Sequence, residues 1–211
     1  MNKHWLINSS FFLALFFVGC SDDNYRYPNM EQDLVELKTG HDGVARIMLC
    51  DSGDTLQLAN PVYGLDKDTV YRYIVNYVRQ PEEETPAATI YNKSLILSIV
   101  PSSKLALVTD PVSVISVWRG LEYVNFRLNV LTQKKSHYYG LKEEGIIFNA
   151  DGTRLLQLIL YHDKNNDVEA YTRTVLLSCP LYRYKNVLRK GDSIAVSIET
   201  YTGRSVYKLP Y

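Results

Sequence analysis

The 211-residue sequence has no surplus of either charge: 23 Lys and Arg face 23 Asp and Glu, with four His. A nucleic-acid binder ordinarily carries a basic excess to neutralise phosphates, so the balance argues against nucleic acid as a partner. Cysteine is scarce, with only Cys20, Cys50 and Cys179, and none has a second Cys or His at metal-ligand spacing. No Gly-x-Ser-x-Gly, His-Glu-x-x-His, phosphate loop or dinucleotide fingerprint occurs. The sequence therefore predicts no catalytic residue, no metal and no cofactor, and a chain that is not an enzyme. Long helical periodicity is missing too. What is abundant is Tyr, 17 against six Phe, among many Val, Leu, Ile and Thr, a β-rich composition.

The start of the chain reads as an export signal. Lys3 precedes the apolar run Phe11-Phe12-Leu13-Ala14-Leu15-Phe16-Phe17-Val18. Eight residues fall well short of the roughly 20 a spanning helix needs, but match a signal-peptide hydrophobic region. The run ends at Val18-Gly19-Cys20, which resembles the lipobox of bacterial lipoproteins, with Phe17 where Leu is commoner. The resemblance implies cleavage after residue 19 and acylation of Cys20, and so attachment to a membrane through lipid; an ordinary secretory signal with a coincidental cysteine is the alternative. Ser21, Asp22 and Asp23 then form an acidic tract. It is similar to the signal that sends some lipoproteins to the cell surface of the outer membrane; a solvated linker is the other reading. Loss of residues 1–19 removes Lys3 as the only formal charge and leaves a net charge of −1.

Past this point the pattern is that of strands. Residues 21–33 are polar, contain Pro28 and read as a tether. Residues 43–50 and 55–58 flank a Gly-containing turn, as a hairpin does. From Val70 to Arg79 the residues alternate, with Tyr71, Tyr73, Val75 and Tyr77 on one side. Two prolines and three glutamates make residues 80–88 a loop, and an apolar run from Thr89 to Val100 follows. Asp110-Pro111 breaks the pattern and marks a domain boundary after residue 108. The second half repeats short strands: 111–118, 123–131, 146–148 paired with 155–162 around Asp151-Gly152, 171–179, 193–201 and 205–209. A helical turn is expected only near 181–188. Such spacing suits a β-sandwich.

Several of these segments, taken in order, resemble the NigD-like lipoproteins. In the N-terminal part they are GVARIMLCDSGDTLQL, KDTVYRYIVNYV and ATIYNKSLILSI. In the C-terminal part they are Asp110-Pro111, Val117-Trp118, Tyr123-Val124-Asn125-Phe126 and Leu158-Ile159-Leu160-Tyr161-His162-Asp163 up to Asp167, with Tyr161 in place of the family's Arg. The resemblance covers nearly the whole mature chain. It implies an all-β protein, an OB-fold barrel followed by a β-sandwich, laid out as signal peptide 1–19, acidic tether 20–33, barrel 34–108 and sandwich 109–211. It also implies no established enzymatic activity, and an accessory or immunity role connected with a bacteriocin locus. The partner expected is a protein or a glycan.

Candidate contact residues follow from this layout. An OB barrel can stack bases or sugars on aromatic residues, which makes Tyr71, Tyr73 and Tyr77 candidates; lining the barrel interior is the alternative. His137 and His162 are candidates as a proton-transfer pair or as metal ligands, though without a third ligand, with structural histidines as the alternative. Asp163, Asn165, Asp167 and Glu169 alternate as in part of a calcium loop, but Val168 stands where that loop requires Gly; a polar hairpin loop also explains them. Glu143 and Glu144 are neighbours and would point apart on a strand. Tyr138-Tyr139 and Tyr182-Arg183-Tyr184 are expected on loops, as aromatic contact clusters. Cys50 and Cys179 lie in apolar runs and read as buried free thiols, with one disulfide as the alternative.

Overall fold

Alternation of apolar and polar residues dictates most of the architecture, because a strand sends successive side chains to opposite faces. The computed structural model describes residues 28–80 and 86–211. The expected signal peptide, Cys20 and the tract Ser21-Asp22-Asp23 lie outside them, as do the glutamates at 82–84. No helix of the described residues is long and apolar enough to cross a membrane.

Five strands build the first domain: β1 (Met30–Thr39), β2 (Ala45–Cys50), β3 (Thr55–Val62), β4 (Val70–Gln80) and β5 (Ala87–Leu95). They close into a barrel in the order β1-β2-β3-β5-β4, the circuit of an OB fold. Val35, Leu37, Met48, Leu56, Val75 and Tyr77 fill its interior. Strand β1 begins at Met30, inside the stretch expected to be tether, and pairs with β4 from Met30↔Val78 to Lys38↔Val70. Its first half is polar, which hides it in the sequence. At the barrel rim that polarity is used: Glu31 accepts hydrogen bonds from Tyr77 Oη at 3.0 Å and Arg79 Nε at 3.1 Å.

Nine further strands form the second domain: β6 (Leu97–Ser98), β7 (Pro101–Ser102), β8 (Ser113–Gly120), β9 (Tyr123–Thr132), β10 (Tyr138–Phe148), β11 (Arg154–Asp163), β12 (Tyr171–Pro180), β13 (Ser193–Thr200) and β14 (Gly203–Pro210). One sheet runs β14-β13-β11-β10-β7 and the other β6-β12-β9-β8. Their facing sides enclose a core of Val124, Phe126, Leu128, Leu141, Leu156, Leu158, Leu177, Ile194 and Val196. Val124, Phe126, Leu128 and Val130 are the inward set expected from the alternation in β9. Each fully buried Leu or Phe contributes roughly 1.5–3 kcal/mol.

The chain enters the sandwich earlier than expected. Leu97 and Ser98 already pair with Leu177 and Ser178, and Pro101 with Leu141. Asp110-Pro111 breaks a connection inside the sandwich, not the link between domains: Thr109 already bridges His162 of β11, and Val112 bridges Thr200 of β13. Tyr138 and Tyr139 begin the long strand β10, not a loop; Gly140 and a bulge between Glu143 and Gly145 break the alternation that would have revealed it. Tyr182–Tyr184 is a single 3-10 turn, with Tyr184 buried and donating to Glu143 Oε2 at 2.6 Å.

Candidate functional site

Two clefts flank the segment by which the chain passes from barrel to sandwich, and both include Leu95, Ile96 and Leu97. The first, about 690 Å³, lies against Tyr71, Arg72, Tyr123 and Tyr182. The second, about 650 Å³, has Ile74 and Ser94 of the barrel on one side and Val130, Lys135, His137, Tyr139 and Arg173 to Leu177 of the sandwich on the other. Among the described residues no Asp or Glu lines this second cleft, and the polar lining they supply is cationic and neutral.

A buried polar cluster fixes the angle between the walls. Arg72, on the outer face of β4, is only 5% exposed. Its Nη2 donates to Asp51 Oδ1 at 2.5 Å and Asn125 Oδ1 at 3.3 Å, and its Nε to Ser178 Oγ at 3.3 Å. Asn125 Nδ2 donates to Asp51 Oδ2 at 2.9 Å, and Ser178 Oγ to Asn125 Oδ1 at 2.7 Å. The guanidinium also lies 4.2 Å from the centre of the Tyr123 ring. Asp51 and Arg72 belong to the barrel; Asn125, Ser178 and Tyr123 belong to the sandwich. Burial pushes the Asp51 carboxyl up, while Arg72 and Asn125 pull it down. Gly120 is required beside it, since a Cβ there would sit 2.2 Å from Asp51 Oδ2. No local pattern points to this cluster: Arg72 shares its side of the strand with Val70, Ile74, Asn76 and Val78, and its partners are up to 106 residues away.

Behind the second cleft the structure brings His137 and His162 together, as the spacing alone could only suggest. His162 Nδ1 lies 2.9 Å from the Asp110 carbonyl oxygen, which can only accept, so Nδ1 donates. That leaves His162 Nε2 as acceptor for His137 Nδ1 at 3.0 Å. Tyr139 stacks on His162 with ring centres 5.1 Å apart and planes 8° from parallel. Burial lowers the pKa of His162. Nε2 of His137 is buried without a hydrogen-bond partner, 3.5 Å from Asp167 Oδ2. Among the described residues the hydrogen bonds of the two imidazoles go to each other and to the Asp110 carbonyl, not to a Ser, Thr or Cys side chain.

Asp167 is likewise engaged. Its carboxylate accepts from Thr132 Oγ1 at 2.7 Å, Gln133 N at 2.7 Å and Lys134 N at 3.2 Å. Burial works against the charge, but these donors together hold the carboxyl well below the usual range. Asp163 accepts from Asn165 N, and Asn165 and Asn166 take the positive φ typical of turns. The loop that echoes a calcium site thus spends its oxygens on its own backbone and on residues 132–134.

Of the three candidate tyrosines, two leave the list. Tyr77 is 1% exposed and Tyr73 9%, both inside the barrel, where they pack the interior and cannot stack a ligand. Tyr71 stays at the barrel end beside the first cleft, its hydroxyl bonded to Asp66. Cys50 and Cys179 are free and buried, one in each domain core. Burial pushes the thiol of Cys50 up to about 11 and that of Cys179 up to about 12, so neither is a nucleophile at neutral pH.

Comparison with known proteins agrees with this architecture. Among curated proteins none matches the chain. Among solved structures it is similar to a NigD-like immunity protein from Bacteroides caccae, with 27% identity, a TM-score of 0.66 and coverage of 87% of this chain and 93% of that one. A protein from Parabacteroides distasonis provisionally named as toxin-related is 20% identical, with a TM-score of 0.69 over 87% and 93% of the two chains. A protein from Bacteroides fragilis provisionally named a lipoprotein is 12% identical, with a TM-score of 0.64 over 86% and 98%. These last two likenesses establish the fold alone. The model of the NigD-like C-terminal beta sandwich domain matches residues 96–211, beginning one residue before β6 and covering more than half the sequence. The chain belongs to the NigD-like family.

Proposed function

We propose that the chain is a non-enzymatic binding protein of the cell envelope, of the immunity or accessory type, held to the outer membrane by lipid on Cys20 and engaging a protein in the cleft beside Arg173. The observation that carries this reading is the second cleft: its walls come from both domains and are tied together by the Arg72, Asp51, Asn125 and Ser178 cluster, and among the described residues no nucleophile in it is hydrogen-bonded to a base. Pre-set walls lower the ordering cost of binding. Support for the immunity character is the likeness to the Bacteroides caccae protein along most of both chains. Support for the anchor is the apolar run ending at Gly19-Cys20, and the name given to the Bacteroides fragilis relative. Surface exposure, with the tract Ser21-Asp22-Asp23 as its signal, is part of the proposal.

The test is a deletion strain challenged with culture supernatants of related strains. Restoring the gene is expected to restore survival, whereas Cys20→Ser is expected to abolish palmitate labelling and protection together. Protease added to intact cells is expected to remove the protein. Survival that does not depend on the gene under any supernatant would end the immunity reading, and full protection from protease until lysis would end surface exposure.

A further inference from the structure

Half of strand β12 lacks a neighbour on one side. β9 covers it from Tyr171↔Thr132 to Pro180↔Tyr123. On the other side β6 covers only Leu177 and Ser178. Among the described residues no strand pairs with residues 171–176 along that edge. The direction of its backbone groups can be read from one hydrogen bond. Ile99 N donates to Ser178 O at 3.0 Å, so Ser178 turns its backbone toward the β6 side. Alternation then turns the N–H and C=O of Thr172, Thr174 and Leu176 to the same open side. At about 3.3 Å per residue the open edge is some 20 Å long.

The chain itself explains why nothing of its own sits there. Running β6 backwards would lay residues 91–96 along this edge. Instead Leu95, Ser94 and Lys93 pair with Tyr73, Ile74 and Val75 in the barrel, and Ile96 N donates to Arg72 O at 3.0 Å. The diverging chain leaves the 650 Å³ cleft between the barrel's last strand and the edge of β12.

Charge selects what fits. Arg173 and Lys135 line the cleft, to which no Asp or Glu among the described residues contributes. Lys135 Nζ donates only to the carbonyls of Asn165 and Asn166, and Arg173 takes part in no ion pair among the described residues. Arg173 stands opposite Val130, on the inward face of its strand. An inward-facing charge on an edge strand discourages indiscriminate pairing. A carboxylate at the facing position converts that penalty into an attraction.

We infer that residues 171–176 receive an extended peptide segment of a partner protein, acidic at alternate positions, which joins the β6-β12-β9-β8 sheet as an added strand. Main-chain hydrogen bonds to Thr172, Thr174 and Leu176 supply affinity, and Arg173 with Lys135 supplies selection, as in other cases of strand addition. This deepens the cleft-binding reading and rests on it.

The probe is a labelled hexapeptide alternating valine and glutamate, titrated against the full chain in detergent by fluorescence polarisation. It is expected to bind at least tenfold more tightly than the same peptide with lysine for glutamate, and Arg173→Glu is expected to reverse that preference. N-methylation of the peptide at one alternate set of amides is expected to abolish binding, while methylation of the other set leaves it within about threefold. Thr174→Pro removes a single edge N–H, a substitution edge strands accept on their open side, and is expected to lower affinity at least tenfold. Should that variant unfold, the methylated peptides still decide, because they leave the protein unchanged. Equal binding of acidic and basic peptides, or equal loss from both methylation sets, overturns strand addition. So does a concentration-dependent dimer lost in Arg173→Glu, which would give the edge to a second copy. Failed peptide binding with the deletion phenotype intact removes this inference alone; successful binding with no phenotype removes the immunity reading alone.

Discussion

Arg72 sits where the physics of a single residue decides the shape of the whole binding surface. With Arg72 5% and Asp51 8% exposed at the side chain, the pair has left water, and each charge depends on the other. Removing one partner of a buried pair costs about 3–5 kcal/mol, whereas replacing both by apolar groups of similar volume is often close to neutral. Arg72→Met is therefore expected to lose about that amount of unfolding free energy in urea, and Arg72→Met combined with Asp51→Leu to recover most of it. A double variant as unstable as the single one would show that the pair does more than compensate buried charge. Nothing in the sequence marks this residue. Alternation sets Arg72 on the face of β4 opposite Tyr71, Tyr73 and Tyr77, but it does not say that this face packs on a second domain. The partners Asn125 and Ser178 come from strands that no local pattern connects to it. By contrast, Tyr73 and Tyr77 were legible as one face of a strand, and only which side of the barrel that face occupies required the structure.

Strand β11 and the residue 132–137 loop meet through His162, His137 and Asp167, and their contact has two separate responses to acid. His162 is held neutral: burial lowers its pKa from 6.5, assisted by the neighbouring His137 and opposed by the carbonyl of Asp110 and the charges of Asp110 and Asp163. The unfolded chain takes up that proton more readily, so the fold keeps its full stability above about 6.5 and loses some as pH falls below it. Asp167 is lowered from 3.8, so its contribution stands above about 3.8 and disappears as pH falls further. Thermal melts against pH are expected to show an upper decline absent in His162→Asn and a lower one absent in Asp167→Asn. A single decline removed by neither variant would contradict these assignments. The strands of this contact differ in how visible they were. The Leu155 to His162 segment of β11 shows itself by its apolar run, and β9 by strict alternation. β10 was hidden in its first half because Gly140 and the bulge at Gly145 interrupt the two-residue period. The candidate site lies where such irregularities gather, so its histidines could be named from the sequence while their contact could not.

At the scale of the molecule there are two apolar cores, one in the barrel and a larger one in the sandwich, and they share no residue. What lies between them is mostly polar, the hydrogen-bonded group of Arg72, Asp51, Asn125 and Ser178. Separate cores alone would favour independent unfolding, and the buried polar group opposes it through the bonds of Arg72 and Asp51 to Asn125 and Ser178, which are lost when the interface opens. Which tendency prevails is measurable. Trp118 is the only tryptophan after residue 5 and stands beside the cluster, paired with Asn125 across β8 and β9, so its fluorescence reports the junction, while amide circular dichroism reports every strand. In the wild-type chain both signals are expected to change in one coincident transition. Asn125→Ala takes away an acceptor for both Arg72 and Ser178 and a donor to Asp51, and is expected to separate the transitions, with the barrel and its smaller core melting first. A double-mutant cycle between Arg72→Met and Asn125→Ala is expected to give a coupling of about 0.5–3 kcal/mol, the range for residues in one hydrogen-bond network. Strict additivity, together with coincident melting of Asn125→Ala, would mean that the domains are held by something other than this cluster, and the cleft would then lose the rigid walls on which its use as a docking site depends.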